Sequence, residues 1–180
     1  MTVRILIYNS GGGIGDSIQL FPLILGLQNV YQGSEIYYLG AHQNHYLEKL
    51  KDYNIKVKNL NLGLKYFGFR WWHLFAAKGR FAQLKIDSFD LIIDCQSKLR
   101  NTLILKRIPS KSFCSFTFNN VFSHGLKNST SKFWSNLNST EYNINKIDKK
   151  YFVESKKLLP NNNYIGFSLT QGNVYRKKEW

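Results

Sequence analysis

The chain has 180 residues, 43% hydrophobic and 16% aromatic, which excludes a disordered or fibrous protein and fits one compact domain with some length to spare. Its 25 Lys and Arg against 11 Asp and Glu give a formal charge of +14, so an anionic partner is expected: nucleic acid, a phosphorylated glycolipid, an anionic membrane or a nucleotide sugar. The basic residues are spread along the chain, with modest clusters at Lys146, Lys149, Lys150, Lys156 and Lys157 and at Arg176, Lys177 and Lys178, and the lack of an arginine-rich tract weighs against nucleic acid.

Val3 to Tyr8 (VRILIY) reads as a buried strand that ends in a glycine loop. Its apolar run is too short for a secretory signal, and the stretch from Leu20 to Leu27, interrupted by Pro22 and Gly26, is too short to cross a bilayer. A helix is expected from Asp16 to Gly33, with Pro22 marking either its start or a kink. Glu35 to Leu39 forms a second strand, and Tyr46, Leu47 and Leu50 stand at helical spacing after it. Ile55 to Leu60 alternates like a one-sided strand, and Lys65 to Ile86 reads as a long Trp-rich helix. Then come a buried strand over Phe89 to Cys95, a helix over Lys98 to Ile108 and an aromatic strand over Ser112 to Phe118. This alternation predicts an α/β fold with a doubly wound, Rossmann-like parallel sheet, whose ligands bind beyond the carboxyl ends of the strands. Residues 119–145 read as a long surface connection, 147–159 as a helix and 164–169 as a fresh strand, followed by the basic loop TQGNVYRKKEW. The expected division is a first domain over 1–145, and over 146–180 a linker helix and the start of a second domain that the chain cuts short.

The loop NSGGGIGD invites a dinucleotide reading, but the spacing fails. With Gly11 and Gly13 as the first pair, position 16 is Asp; with Gly13 and Gly15, position 18 is Ile. No Gly-Lys-Ser/Thr follows, so it is not a P-loop. An acid at a helix start repels a pyrophosphate, yet the helix dipole favours its charged form. Asp16 is therefore a candidate general base for an alcohol nucleophile, with the glycines giving a substrate close access to the backbone; the alternative is that it only caps the helix. Asp94 and Gln96, at the end of a central strand, either line a ligand cleft or serve as a helix cap and a loop tie. Arg100 and Arg107 either meet anionic groups or are simply solvated. In KYFGFRWWHLFAAKGR, the aromatic and basic residues suit either core packing or a lipid headgroup region. The four histidines have no metal-ligand spacing, so no metal is expected. Cys95 and Cys114, in apolar runs, suit a reducing, cytoplasmic setting.

The segments SGGGIGD followed by a helix with Phe21-Pro22-Leu23, FDLIIDCQSKLRNTLI from Phe89, and IGFSLTQGNVYRKKEW from Ile165 together resemble glycosyltransferase family 9, the ADP-heptose:lipopolysaccharide heptosyltransferases. The resemblance covers nearly the whole chain and is thin over 62–85 and 119–163. It implies a GT-B architecture of two Rossmann-like domains, the first binding the acceptor, and an inverting transfer of heptose or a related sugar from a nucleotide sugar to a lipopolysaccharide or other glycan. By this resemblance Asp16 is the catalytic base, while Gly12, Gly13, Gly15, Asp94, Gln96 and Arg100 bind the acceptor. Ser168, Thr170, Gly172 and Lys178 meet the donor, although the loop QGNVYR aligns only with a gap. Lys178 would stabilise the departing diphosphate without a metal. No cofactor beyond the nucleotide-sugar co-substrate is expected, the setting would be the cytoplasm or the inner face of its membrane, and this chain alone would be inactive. A different class, a non-catalytic module that binds anionic glycan, nucleotide or nucleic acid by charge, also fits the composition.

Overall fold

The computed structural model describes residues 2–125 except 42, 43, 54, 97, 119 and 120. The chain divides into two units, Met1–Ile144 and Asn145–Trp180, and the described residues belong to the first. Five strands form one sheet: β1 Arg4–Asn9, β2 Glu35–Gly40, β3 Lys58–Asn59, β4 Phe89–Asp94 and β5 Ser110–Ser115. The pairings between these strands are all parallel and the order is β3-β2-β1-β4-β5. The described residues form an all-parallel sheet with helices, consistent with the α/β, Rossmann-like class expected from the alternating pattern. The strand order reverses between β1 and β4, the place where open parallel sheets leave a crevice.

The helices are α1 Ile14–Ile18, α2 Phe21–Val30, α3 His73–Ala82 and α4 Leu99–Leu105. They cover both faces of the sheet, which is why β1 and β4 read as unbroken apolar runs. On one face Leu6, Tyr8 and Ile92 share a core with Phe81 of α3, Ile104 and Leu105 of α4, and Phe113. On the other, Tyr38, paired in register with Ile7, meets the Tyr46 ring at 5.1 Å, and Phe21 of α2 meets Tyr46 and Tyr53 at 6.2 and 5.7 Å.

Three expectations need correction. After β2 there is no α-helix but two 3-10 turns, His45–Leu47 and Lys51–Tyr53. The Asn44 side chain caps the first by accepting from the Tyr46 N–H, and Glu48, at φ −123° and ψ −95°, stops it. The long Trp-rich helix shrinks to α3, because the carbonyls that would continue it upstream are engaged elsewhere. Tyr8 Oη donates to the Phe67 carbonyl at 3.0 Å, Arg100 Nε donates to the Gly68 carbonyl at 2.7 Å, and Gly68 sits at φ +88°. The strand expected over 55–60 keeps ladder pairing only at Lys58 and Asn59. Pro22 resolves as the start of α2, where its missing N–H is harmless. The helix expected over 147–159 and the strand expected over 164–169 fall outside the described residues.

A candidate ligand site at the switch point of the sheet

The chain leaves β1 and β4 side by side, and their following loops meet where the strand order reverses. Asn9, the last residue of β1, is buried and joins three pieces of that region. Its Oδ1 accepts from the Gly11 N–H at 3.0 Å and from Gln96 Nε2 at 2.7 Å; its Nδ2 donates to the Asp16 carbonyl at 3.4 Å. Neither Asn9 nor its partnership with Gln96, 87 residues away, stands out in the sequence, because a strand-terminal Asn before glycines looks like ordinary turn chemistry.

Asp16 lies in the first turn of α1 and is exposed. Its Oδ2 accepts from the Gly13 N–H at 3.0 Å, so it does cap the helix start. No hydrogen bond among the described residues reaches Oδ1. Two glycines make room for this fold-back: a Cβ on Gly11 would stand 2.6 Å from Asp16 Cγ, and one on Gly13 3.1 Å from Oδ2. Gly15 differs, since a Cβ there would meet nothing within 4 Å; it borders open space. Gly12 is exposed, and its carbonyl lies 3.1 Å from Nε2 of buried His45. That contact requires Nε2 to carry the proton and ties the loop to the segment after β2. Nothing in the spacing of His45 along the sequence marks it for this contact.

The other residues singled out divide between this place and the interior. Gln96 is half-buried and stands at the site through Asn9. Asp94, by contrast, is wholly buried and faces inward under α4. Its Oδ2 accepts from Thr102 Oγ1 at 2.6 Å and Ser115 Oγ at 2.9 Å, and its Oδ1 from the Gln96 N–H at 2.9 Å. Burial pushes its carboxyl above the ordinary range, while those three donors pull it back. Of the two readings open for Asp94, ligand contact and local structure, the geometry fits local structure. Arg100 is half-buried and spends its Nε on the Gly68 carbonyl, away from the glycine loop's own bonds. Ser168, Thr170, Gly172 and Lys178 lie outside the described residues.

On the same edge of the sheet, past the ends of β2 and β3, is a cleft of about 320 Å³ bordered by Gly40, Asn44, Asn59, Asn61 and Lys65. The exposed Asn59 and Asn61 amides can donate to sugar hydroxyls, while buried Asn44 spends its amide on the Tyr46 N–H and on Asn59 Oδ1 and directly precedes the His45 that touches the glycine loop. Among the described residues no group of three or more His, Cys, Asp or Glu can hold a metal, and no helix is long and apolar enough to cross a membrane. Chemically, the switch point presents one exposed carboxylate, held on one oxygen, above a backbone without side chains. No family model matches the chain, and no curated protein or solved structure matches it either.

Proposed function

We propose that this chain carries the acceptor-binding lobe of an inverting GT-B glycosyltransferase of the family 9, heptosyltransferase kind. The single observation behind the reading is the Asp16 carboxylate, exposed and anchored through Oδ2 on Gly13, at the crevice beside β1. In this reading Oδ1 takes the proton of an acceptor hydroxyl as its oxygen attacks the anomeric carbon of the nucleotide sugar. The bond from that carbon to the diphosphate breaks, and the nucleoside diphosphate leaves with the electron pair. Gly12, Gly13 and Gly15 admit the acceptor close to the backbone, and Gln96 together with the amide-lined cleft contacts its hydroxyls. The donor is assigned to Ser168, Thr170, Gly172 and Lys178, whose lysine would offset charge growing on the leaving group. The acceptor is an anionic glycan, in keeping with a charge of +14.

A second reading, a non-catalytic module for anionic glycan, is favoured by the bond from the Gly13 N–H to Asp16, since capping alone accounts for an acid there. Titration of the labelled chain with a phosphorylated lipopolysaccharide core oligosaccharide is expected to move the backbone amide resonances of Gly11 to Gly15 and of Gln96. Unmoved resonances there would remove both readings from this crevice. Transfer is followed as ADP release from ADP-heptose in the presence of acceptor. In that setting Asp16→Asn, which keeps the cap acceptor but not the base, is expected to lower turnover by about 10²–10⁴-fold with acceptor affinity retained. Unchanged turnover sinks the base assignment, and binding without any transfer favours the module.

A further inference from the structure

Between Asn61 and Ile86 the chain has five basic residues, Lys65, Arg70, Lys78, Arg80 and Lys85, and no acidic one. The α3 region within it is two-faced. His73, Ala77 and Phe81, one helical turn apart, are buried. Trp71, Phe75 and Lys78, spaced by four and three residues on the other side, are exposed. Trp71 and Trp72 keep 56% and 55% of their surface in solvent and Phe75 keeps 81%. The backbone that carries them is fixed from three directions, by Tyr8 on the Phe67 carbonyl, Arg100 on the Gly68 carbonyl, and the Gly68 N–H on His73 Nδ1 at 3.1 Å. Of the Phe, Tyr and Trp residues from 66 to 75 only Phe67 is driven into the core, which leaves its neighbours displayed on the turn.

Core packing therefore does not account for Trp71, Trp72 and Phe75, and isolated exposed apolar residues do not cluster in this way. Indole rings beside cations, on a stretch of chain without an acidic residue, match the headgroup layer of a bilayer, where the rings sit at the acyl boundary and the cations on lipid phosphate. We propose that this face docks on an anionic bilayer surface, with Trp71, Trp72 and Phe75 entering the headgroup region and Arg70 and Lys78 meeting lipid phosphates. The excess positive charge of the whole chain favours the approach. This inference stands independently of the transferase reading, because it uses no residue of the glycine loop.

The test uses the full chain with Trp134→Phe and Trp180→Phe, so that emission reports Trp71 and Trp72. Vesicles of phosphatidylcholine containing phosphatidylglycerol are expected to shift that emission to the blue, and brominated acyl chains to quench it; phosphatidylcholine alone should do neither. Replacing Phe75 and one indole together (Trp71→Ala/Phe75→Ala) should weaken partitioning at least about tenfold, with thermal melting unchanged. Arg70→Ala/Lys78→Ala should weaken it at low salt and lose its effect at high salt. No blue shift on anionic vesicles overturns the proposal and leaves the face to a protein partner. Binding by the Trp71→Ala/Phe75→Ala chain equal to its parent overturns ring insertion.

Discussion

Gly11 lies directly beneath Asp16, close enough that a Cβ on residue 11 would stand 2.6 Å from the aspartate Cγ and 2.7 Å from its Cβ. Residue 11 is thus glycine for the sake of residue 16. Gly11→Ala should push the carboxylate off the Gly13 N–H and cost about 1 kcal/mol, the usual worth of a helix cap. In an Asp16→Gly background the obstruction is gone, so the same substitution should cost close to nothing. Urea unfolding of the four chains closes this cycle. An equal cost in both backgrounds would mean that another neighbour excludes a side chain at 11.

A second close approach fixes the turn before α3. Gly68 has φ +88°, and a Cβ there would fall 2.1 Å from Tyr8 Oη. Gly68→Ala combines left-handed strain with a steric clash and should destabilise the fold by roughly 2–4 kcal/mol. Tyr8→Phe removes the hydroxyl and leaves the Phe67 carbonyl without its donor, which should cost about 1–3 kcal/mol on its own. The two together should cost less than their sum, yet not be neutral, since Tyr8 Cζ would still lie 3.1 Å from the new Cβ and the backbone strain persists. Additive costs in denaturant unfolding would show that the two residues do not meet.

His73 makes the same turn sensitive to acid. Its Nδ1 accepts from the Gly68 N–H, so the proton sits on Nε2, which is buried with no partner among the described residues. Burial, and then the nearby Arg70 and Arg100 charges, hold its pKa below the ordinary 6.5. The unfolded chain takes up a proton near the ordinary value and the folded chain does so only at lower pH. Stability from this residue is therefore complete above about 6.5 and declines as pH falls below it. His73→Asn, whose Oδ1 can take the place of Nδ1 as acceptor, should flatten the fall in melting temperature between neutral and mildly acid pH. An unaltered slope would assign the acid sensitivity to other groups.

The contrast between these residues shows what local pattern carries. The runs at β1 and β4, broken by glycines and by Cys95-Gln96, announce buried parallel strands with loops at their ends, and Asp16 announces a helix start. What escapes is whatever depends on remote partners. The stretch before α3 has helical periodicity in its aromatics, but its fate is decided by Tyr8 and Arg100, 59 and 32 residues from the carbonyls they hold. Strand parity does carry the orientation of Asp94: it is two residues from Ile92, so it points to the same α4-covered core and not outward. Asn9 and His45 reach the site only through contacts between separate loops, and no spacing rule marks such pairs.

Asp94 offers the last prediction, with a sign opposite to that of His73. Its charge is held in the core by the Thr102 and Ser115 hydroxyls and the Gln96 N–H. Burial still leaves its pKa above the ordinary 3.8. The unfolded chain then releases this proton first as pH rises, so stability is complete below the ordinary value and is lost as pH climbs through the folded one. Thr102→Val keeps the shape of the side chain and removes the hydroxyl that donates to Oδ2 at 2.6 Å. A bond to a charged acceptor is worth about 1.5–3 kcal/mol, and its loss should push the carboxyl higher still. The destabilisation by Thr102→Val should be small in acid, where Asp94 is protonated in both states, and grow towards neutral pH. Ser115→Ala should follow the same trend, and the double variant should depart from additivity because both hydroxyls serve one oxygen. Urea unfolding of these chains at acid and neutral pH decides the matter: a cost that does not change with pH would mean that the hydroxyls pack against Asp94 without supporting its charge.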